Sequence, residues 1–120
     1  MGSSIALLLA VLIVVVFMTP YAFPRSPGDA DGRAQAAARG VPLIYWRPGC
    51  TFCIRLRLLL GTAGRRAVWV NIHQDPAASA RVREVNGGNE TVPTVFLGEQ
   101  HRTNPGPRWV RSQLRRRDAR

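Results

Sequence analysis

Two cysteines mark the point where an apolar run gives way to a helical pattern. Cys50 and Cys53 are the only cysteines among the 120 residues, and two residues separate them. The apolar run Val41–Trp46 before them predicts a strand, and the apolar spacing over Thr51–Ala63 predicts a helix that begins directly after Cys50. The chain is therefore constrained to pass from a strand into a helix at its cysteine pair.

This position favours a thiolate at Cys50. The free backbone N–H groups and the dipole at a helix N-terminus stabilise negative charge, and such sites lower a cysteine pKa below its usual ~8.5. A thiolate is the nucleophile of disulfide exchange. The cysteine pair has two alternative interpretations: it forms half of a zinc site, or both cysteines are buried structural residues. Zinc would need two more ligands, and the spacing of His73 and His101 fits none of the common finger or ribbon patterns.

The N-terminal residues predict a membrane anchor. Residues 1–24 carry no charged side chain, and residues 3–23 reach the ~20 predominantly apolar residues that span a bilayer. No basic residue precedes the apolar run and no small-x-small cleavage site follows it, which favours a transmembrane anchor over residues 1–23 rather than a signal peptide. Arg25, Arg33 and Arg39 follow the span, so the positive-inside rule predicts a single-pass protein of the cell membrane whose catalytic domain faces the cytoplasm.

The net charge of +10 comes from 17 arginines and no lysine. These arginines are spread along the chain without a recognised nucleic-acid-binding motif, so nucleic acid is not expected as a partner. Residues 116–120 are predicted to form a basic, solvated tail. Residues 24–40, rich in Pro, Gly, Ala and Asp, are predicted to form a flexible linker.

Residues 41–115 are predicted to form one domain. After the first strand and helix, the sequence predicts strands over Ala67–Ile72, Thr94–Leu97 and Gln100–Thr103, and helices over residues 76–86 and from Pro107 onwards. The order β-α-β-α-β-β-α indicates an α/β fold with a small mixed sheet and helices on its faces.

A second informative segment lies about 40 residues beyond the cysteines. Thr91-Val92-Pro93 leads into the third strand, and Pro93 stands where a sheet tolerates proline. Together with Arg47–Cys53, the segment Thr91–Thr94 resembles the glutaredoxin branch of the thioredoxin superfamily. The resemblance covers about residues 41–115. It implies a thioredoxin-like (glutaredoxin) fold, with a four-stranded mixed sheet flanked by three helices and preceded here by one transmembrane helix.

Three further segments resemble the mycoredoxins, which are actinobacterial glutaredoxin-like proteins that use mycothiol. They are Asn86–Asn89, Asp75–Ala78 and Thr103–Pro105. Thr103 and Asn104 stand where glutaredoxins carry a Gly-Gly-x-Asp-type segment for glutathione. This departure from the glutaredoxin segment favours mycothiol over glutathione as the low-molecular-weight thiol.

The resemblance implies a role for each matching residue. Cys50 matches the nucleophile, and Cys53 matches the resolving cysteine that closes an internal disulfide. Pro93 matches the cis-proline beside the active site, and Val92 matches the residue whose backbone pairs with the cysteinyl part of the bound thiol. Arg47 matches a basic residue beside the thiol substrate. The full predicted thiol-binding set is Arg47, Thr51, Phe52, Thr91, Val92, Pro93, Thr103 and Asn104.

The activity implied by the resemblance is the reduction of mixed disulfides between proteins and a low-molecular-weight thiol. The expected partners are that thiol and S-thiolated proteins, with no bound cofactor or metal and a monomeric chain. A dithiol redoxin reduced by a thioredoxin reductase is one alternative, and a non-catalytic membrane-tethered metal- or partner-binding module is another. A cleaved or inverted N-terminal segment would instead give an exported oxidase or reductase.

Overall fold

The computed structural model describes residues 2–18 and 22–118 of the chain. It contains five α-helices, four strands and one 3₁₀ segment within those ranges. In chain order these are α1 Gly2–Met18, α2 Asp29–Arg39, β1 Leu43–Trp46, α3 Thr51–Leu60, the 3₁₀ segment Gly61–Arg66, β2 Val68–Asn71, α4 Pro76–Val85, β3 Thr94–Leu97, β4 Gln100–Thr103 and α5 Pro107–Asp118.

The four strands form one mixed sheet in the order β2-β1-β3-β4. Strand β1 runs parallel to β2 and antiparallel to β3, and β3 and β4 form an antiparallel hairpin. The predicted thioredoxin-like four-stranded mixed sheet is confirmed, but the prediction of three flanking helices is wrong, because α2 packs on β2 and β1 as a fourth. The two strands of the hairpin begin and end where the sequence placed them: β3 lies between Pro93 and the turn at Gly98, and β4 follows that turn.

One face of the sheet packs against α2 and α4. Side chains alternate across a strand, so Leu43 and Tyr45 share a face with Phe96, which pairs with Leu43 in the register. Arg81 of α4 lies with its guanidinium carbon 3.7 Å from the centre of the Phe96 ring. Asp29 of α2 accepts a hydrogen bond from the Tyr45 hydroxyl. We call this side the α2/α4 face.

The opposite face packs against α3, the 3₁₀ segment and α5. Ile44, Trp46 and Trp69 point to this side of the sheet. The indole N–H of Trp69 donates a 2.7 Å hydrogen bond to the carbonyl oxygen of Gly64 in the 3₁₀ segment. Because this segment contacts both α3 and α5, the two helices lie on the same side. We call it the α3/α5 face.

The prediction of a flexible linker over residues 24–40 is wrong, because α2 occupies most of that segment and packs on β2 and β1. Gly32 permits the contact: a Cβ atom at this position would lie 2.7 Å from Cγ2 of Val70. Small residues gave the segment the composition of a linker. In the folded chain they let the helix approach the sheet closely.

A buried polar cluster fixes the N-terminus of α2. Asp29 is a buried residue, only 4% exposed, and its side chain accepts a hydrogen bond from the Tyr45 hydroxyl. That hydroxyl in turn accepts a 3.0 Å hydrogen bond from Arg81. The backbone N–H of Asp29 donates to the carboxylate of Asp75 at 2.7 Å. Burial, followed by the hydrogen bond to Asp29, raises the pKa of Tyr45 above its usual range. The phenol therefore stays protonated and keeps its donor role.

The predicted membrane anchor is also corrected. Helix α1 has 17 residues, which at 1.5 Å per residue is about 25 Å, shorter than the ~30 Å hydrocarbon core of a bilayer. Within residues 2–18 and 22–118, no helix combines the length and apolar character needed to cross a membrane. This finding overturns the single-pass membrane placement predicted from residues 1–23, of which residues 1 and 19–21 lie outside the described ranges.

Helix ends differ modestly from the sequence predictions. The helix predicted over Thr51–Ala63 ends at Leu60, and the chain continues as the 3₁₀ segment. Asp75 caps α4 as predicted, its carboxylate accepting a 3.0 Å hydrogen bond from the N–H of Ala77. Helix α5 reaches Asp118, so part of the predicted tail over residues 116–120 is helical, and residues 119–120 lie outside the described part of the chain.

Phe23 makes the segment before α2 part of the hydrophobic core. Its ring is 6% exposed, stacks on Trp46 with centroids 3.9 Å apart and meets the edge of Trp69 at 5.5 Å. The residue lies well before the cysteine pair in sequence, yet it covers the strand that leads to Cys50.

We predict that Phe23→Ala lowers the free energy of unfolding by about 3 kcal/mol, because the truncation leaves a cavity against two indole rings. Urea unfolding followed by tryptophan fluorescence measures the change. Leu58→Ala serves as the control, since Leu58 is 55% exposed and its truncation should change stability by no more than about 0.5 kcal/mol. Equal stability of the two variants would contradict a core role for Phe23.

Candidate active site

Cys50 lies at the N-terminal cap of α3, as the sequence predicted. Gly49, with φ of +78° in the left-handed region that favours glycine, turns the chain from β1 towards the helix. Cys50 itself is extended, and its sulfur accepts a 3.2 Å hydrogen bond from the backbone N–H of Cys53. Both cysteines are buried and carry free thiols. The sulfur therefore takes the place of the oxygen that usually caps a helix.

The two thiols have opposite acidities. The pKa of Cys50 is lowered to about 6, chiefly by the hydrogen bond from the Cys53 thiol and further by backbone N–H groups and the charge of Arg47, against the opposing effect of burial. The pKa of Cys53 is raised well above its usual range by that same hydrogen bond and by burial. A pKa of about 6 favours the thiolate form of Cys50 at pH 7, whereas Cys53 keeps its proton. These surroundings suit Cys50, rather than Cys53, to the nucleophilic role that the sequence predicts.

The loop before β3 forms the facing wall. The peptide bond between Val92 and Pro93 is cis, as the resemblance implied. The carbonyl oxygen of Val92 lies 3.6 Å from the sulfur of Cys50 and accepts a hydrogen bond from the thiol form. The carbonyl oxygen of Pro93 accepts a 2.7 Å hydrogen bond from the N–H of Asn104. The loop therefore contacts the nucleophile on one side and the end of β4 on the other.

Arg47 connects the cysteine turn to this loop. Its guanidinium donates a 3.3 Å hydrogen bond to the carbonyl oxygen of Glu90, and its charge contributes to the low pKa of Cys50. Glu90 is held in turn by α4: its carboxylate accepts hydrogen bonds from Ser79 and, at 2.8 Å, from Arg83. The cation is therefore held beside Cys50 by a backbone carbonyl, and among the described residues the structure gives it no carboxylate partner.

Asn86 organises the loop, a role that sequence analysis missed although it noted the Asn86–Asn89 motif. Its amide nitrogen donates to the carbonyl oxygen of Val82 at 2.8 Å and to the hydroxyl of Thr94 at 3.1 Å. Its amide oxygen accepts a 2.6 Å hydrogen bond from Thr103. The Thr94 hydroxyl donates to the carbonyl oxygen of Thr91 at 2.7 Å. The asparagine motif was the available signal, but its partners are distant in sequence.

The predicted site residues fall into two groups. Arg47, Val92 and Cys53 make the interactions with Cys50 described above, and Pro93 follows Val92 directly. Thr51, Phe52 and Thr91 are exposed around the cysteines, with Phe52 55% exposed. The Thr103 hydroxyl and the Asn104 N–H are bonded to Asn86 and Pro93, so these two residues support the loop by the contacts they make.

The end of α1 also reaches the cysteine turn, which nothing in the sequence indicated. The methyl carbon of Met18 lies 3.6 Å from the position that a Cβ atom on Gly49 would occupy. Residue 49 is directly before the nucleophile. The N-terminal part of the chain therefore contributes an apolar side chain beside the active-site turn.

Metal ligands do not surround the cysteines in the part of the chain that is described. Within that part, no three side chains of His, Cys, Asp or Glu come close enough together to hold a metal ion. His73 and His101, the two histidines weighed as zinc ligands, are both exposed. The zinc interpretation thus gains no support from these residues.

The chemistry of the site follows from these contacts. A thiolate with a low pKa, paired with a protonated thiol, is suited to attack a disulfide and to have its own mixed disulfide resolved. The loop before the cis-proline presents the carbonyl oxygen of Val92 beside the sulfur of Cys50, which is the sulfur that would attack a disulfide. Fold and site together place the chain among the thioredoxin-like thiol–disulfide oxidoreductases.

Within that class the chain belongs to the glutaredoxin family, whose model matches residues 43–102. The chain is 44% identical over 73 residues to a predicted glutaredoxin of Mycobacterium tuberculosis, found in two strains, across 59% of this chain and 86% of the relative. It is 38% identical over 63 residues to mycoredoxin 1 of Corynebacterium glutamicum, across 52% of this chain and 77% of the relative. No solved structure matches the chain significantly.

We predict that alkylation of Cys50 by iodoacetamide accelerates as the pH rises through about 6. Arg47→Gln removes a positive charge that favours the thiolate, so the pKa of Cys50 should rise and the rate at pH 6 should fall about threefold. Mass spectrometry of the labelled peptide measures the rate at each pH.

Arg55→Gln provides a matched control, because it removes the same charge from an exposed position further along α3. It should leave the midpoint for Cys50 unchanged. A midpoint typical of a free thiol in the unmodified protein would contradict the assignment of Cys50 as the thiolate.

We predict that Asn86→Ala lowers the free energy of unfolding by about 1–3 kcal/mol, because three hydrogen-bonding groups lose their partner. Chemical unfolding of both variants tests this against Asn89→Ala, which removes an exposed amide from the same loop. A similar loss in the two variants would contradict the organising role of Asn86.

Proposed function

We propose that this glutaredoxin-family enzyme reduces mixed disulfides between proteins and a low-molecular-weight thiol, and that the thiol is mycothiol. The observation that carries the proposal is the placement of Cys50, which separates the two thiols: its sulfur caps the N-terminus of α3, accepts a hydrogen bond from the N–H of Cys53 and lies beside the loop at Val92, whereas Cys53 is the more deeply buried of the two. This separation favours a route in which only one cysteine forms a bond with the substrate.

In the first step the Cys50 thiolate attacks the mycothiol sulfur of the mixed disulfide. The S–S bond to the protein breaks, a new S–S bond joins Cys50 to mycothiol, and the protein leaves as a thiolate that takes a proton from water. In the second step the thiolate of another mycothiol attacks the mycothiol sulfur of this adduct. Cys50 leaves as a thiolate and mycothiol disulfide forms. The sulfur of the second mycothiol is thereby oxidised from thiol to disulfide, the first stays at the disulfide level, and the cysteine sulfur of the protein substrate is reduced to a thiol.

The surrounding residues have separate roles in this proposal. The backbone of Val92, beside the Cys50 sulfur, would pair with the cysteinyl part of mycothiol. Arg47 would stabilise the thiolate both before attack and when it is the leaving group. Thr51, Phe52 and Thr91 would line the approach to the sulfur. These assignments rest on the contacts around Cys50 and on the resemblance of the sequence to mycoredoxins.

The preference for mycothiol has two supports. One relative is named mycoredoxin 1. The second is Thr103-Asn104, which stands in place of the Gly-Gly-x-Asp-type segment associated with glutathione. The hydrogen bonds of this pair go to Asn86 and Pro93. The pair therefore supports the loop that carries Pro93.

A dithiol route is the second candidate, and one contact favours it. The N–H of Cys53 bonds to the sulfur of Cys50, so the two side chains already adjoin as an internal disulfide requires. Cys53 must lose its proton to form that bond, and its raised pKa makes this the slower branch. In this alternative a thioredoxin reductase would regenerate the enzyme.

We predict that Cys50→Ser abolishes reduction of a mixed disulfide between mycothiol and a small thiol, whereas Cys53→Ser retains much of the activity. The assay follows release of the small thiol with mycothiol as reductant, and a glutathione mixed disulfide measured in parallel should be reduced more slowly. Full activity in both variants would contradict the proposal.

A second arm separates the two routes. Reduction by NADPH and thioredoxin reductase that depends on both cysteines, with no activity in the presence of mycothiol, would favour the dithiol alternative.

A further inference from the structure

The sheet separates the charges of the protein. Residues 47–74 and 100–115 include α3, the 3₁₀ segment and all described side chains of α5, and they contain no aspartate or glutamate. Arg102, on β4, also belongs to this side, because its guanidinium lies 4.4 Å from the ring centre of Trp109 in α5. The arginines of these two segments are Arg47, Arg55, Arg57, Arg65, Arg66, Arg102, Arg108, Arg111 and Arg115.

The other side of the sheet carries acidic groups. Asp29 and Asp31 lie in α2, Glu84 lies in α4, and Asp75 caps α4. Both ion pairs described by the structure are on this side or at its edge: Arg33 with Asp29 in α2, and Arg83 of α4 with Glu90. The α3/α5 face is therefore positive, and the α2/α4 face is mixed.

Several arginines of the α3/α5 face bind backbone carbonyls instead of carboxylates. Arg57 donates to the carbonyl oxygens of Ala22 at 3.2 Å and Gly61 at 2.9 Å, and Arg111 donates to that of Leu59. Burial and the like charge of Arg65 lower the pKa of Arg57. A carbonyl holds a guanidinium in place without cancelling its charge, so this end of α3 keeps its positive field.

The positive surface is continuous with the nucleophile. Cys50 caps the N-terminus of α3 and Arg47 adjoins it. Arg55 and Arg57 lie further along this helix of 10 residues, about 15 Å long, and the other arginines lie in the 3₁₀ segment, β4 and α5. Arg55, Arg65 and Arg108 are exposed, and the exposed leucines 58 and 59 lie on the same helix. A molecule bound along α3 would therefore reach Cys50 with one end.

We propose that the α3/α5 face binds protein substrates that carry acidic residues near their thiolated cysteine. The inference rests on the proposed function, in which the substrate is a protein mixed disulfide. Opposite charge accelerates encounter by roughly 10- to 1,000-fold at low ionic strength and orients the partner before contact. Continuity with Cys50 favours a polypeptide over an anionic lipid surface, because the polypeptide has to present a disulfide to that sulfur.

The test compares two variants of the full chain with the same net charge. Arg55→Gln/Arg65→Gln/Arg108→Gln removes exposed charges from the α3/α5 face. Gln74→Glu/Ala77→Glu/Ala80→Glu places the same charge change on exposed positions at and just before α4. None of these residues belongs to the site around Cys50.

The probes are two synthetic peptides of equal length, each with one cysteine in a mixed disulfide with mycothiol. One peptide has glutamates around the cysteine and the other has glutamines. At ~0.05 M salt, we expect kcat/KM of the unmodified enzyme to be at least about tenfold higher for the glutamate peptide than for the glutamine peptide. This preference should vanish at about 0.5 M salt, because salt screens the charges. The arginine variant should lose the preference and the α4 variant should keep it.

A small uncharged mixed disulfide with mycothiol distinguishes failure of the inference from failure of the proposed function. All three enzymes should reduce it equally. An arginine variant that keeps the preference for the glutamate peptide would overturn the docking proposal and leave the proposed function intact. Absence of activity on the small disulfide in the unmodified enzyme would instead overturn the proposed function.

Binding measurements test the docking proposal even if the unmodified enzyme does not reduce the small disulfide. Fluorescence anisotropy of the dye-labelled glutamate peptide, with serine in place of cysteine, should show weaker binding to the arginine variant than to the α4 variant. Equal binding would overturn the proposal. If the arginine variant no longer bound phosphatidylglycerol vesicles but kept its preference for the glutamate peptide, the α3/α5 face would bind a lipid surface. That result would also overturn the docking proposal.

Discussion

The hydrogen bond from the backbone N–H of Cys53 to the sulfur of Cys50 is the interaction on which the site depends. It caps α3, so the helix begins where the sulfur stands. It also favours the thiolate form, so a contact that starts the helix prepares the nucleophile. The thiol of Cys53 donates a second hydrogen bond to the same sulfur. This hydrogen bond lowers the pKa of Cys50 and raises the pKa of Cys53. Helix formation and reactivity are thus properties of one local arrangement.

The facing wall is built by long-range contacts. Asn86 joins the end of α4 to β3 and β4, and Glu90 joins the same helix to the loop that receives Arg47. Arg47 donates to a backbone carbonyl of this loop, and Asn86 donates to one in α4 and bonds the hydroxyls of Thr94 and Thr103. The active site therefore combines a cysteine turn whose properties are local with a loop whose position depends on the whole sheet.

This division explains what could be predicted from the sequence. Cys50, Cys53 and the β3–β4 hairpin are marked by residues close in sequence, and the structure places them as predicted. Helix α2 was missed because its alanines and glycines resemble a linker, and only the sheet shows that Gly32 allows close packing. Asn86 was visible as a motif, but its contacts join residues from three separate elements. The membrane prediction failed because the helix described over Gly2–Met18 has 17 residues, and none of the described helices combines the length and apolar character needed to cross a membrane.

The N-terminal segment is attached to the active-site region at two points. Met18 lies against the turn at Gly49, and the carbonyl oxygen of Ala22 is held by Arg57 of α3, with Phe23 stacked on Trp46 directly after it. Met18, Ala22 and Phe23 thus contact the turn, the helix and the strand that together carry Cys50. A substitution at Met18 or Phe23 would therefore alter the packing around the active site although both residues lie far from Cys50 in sequence.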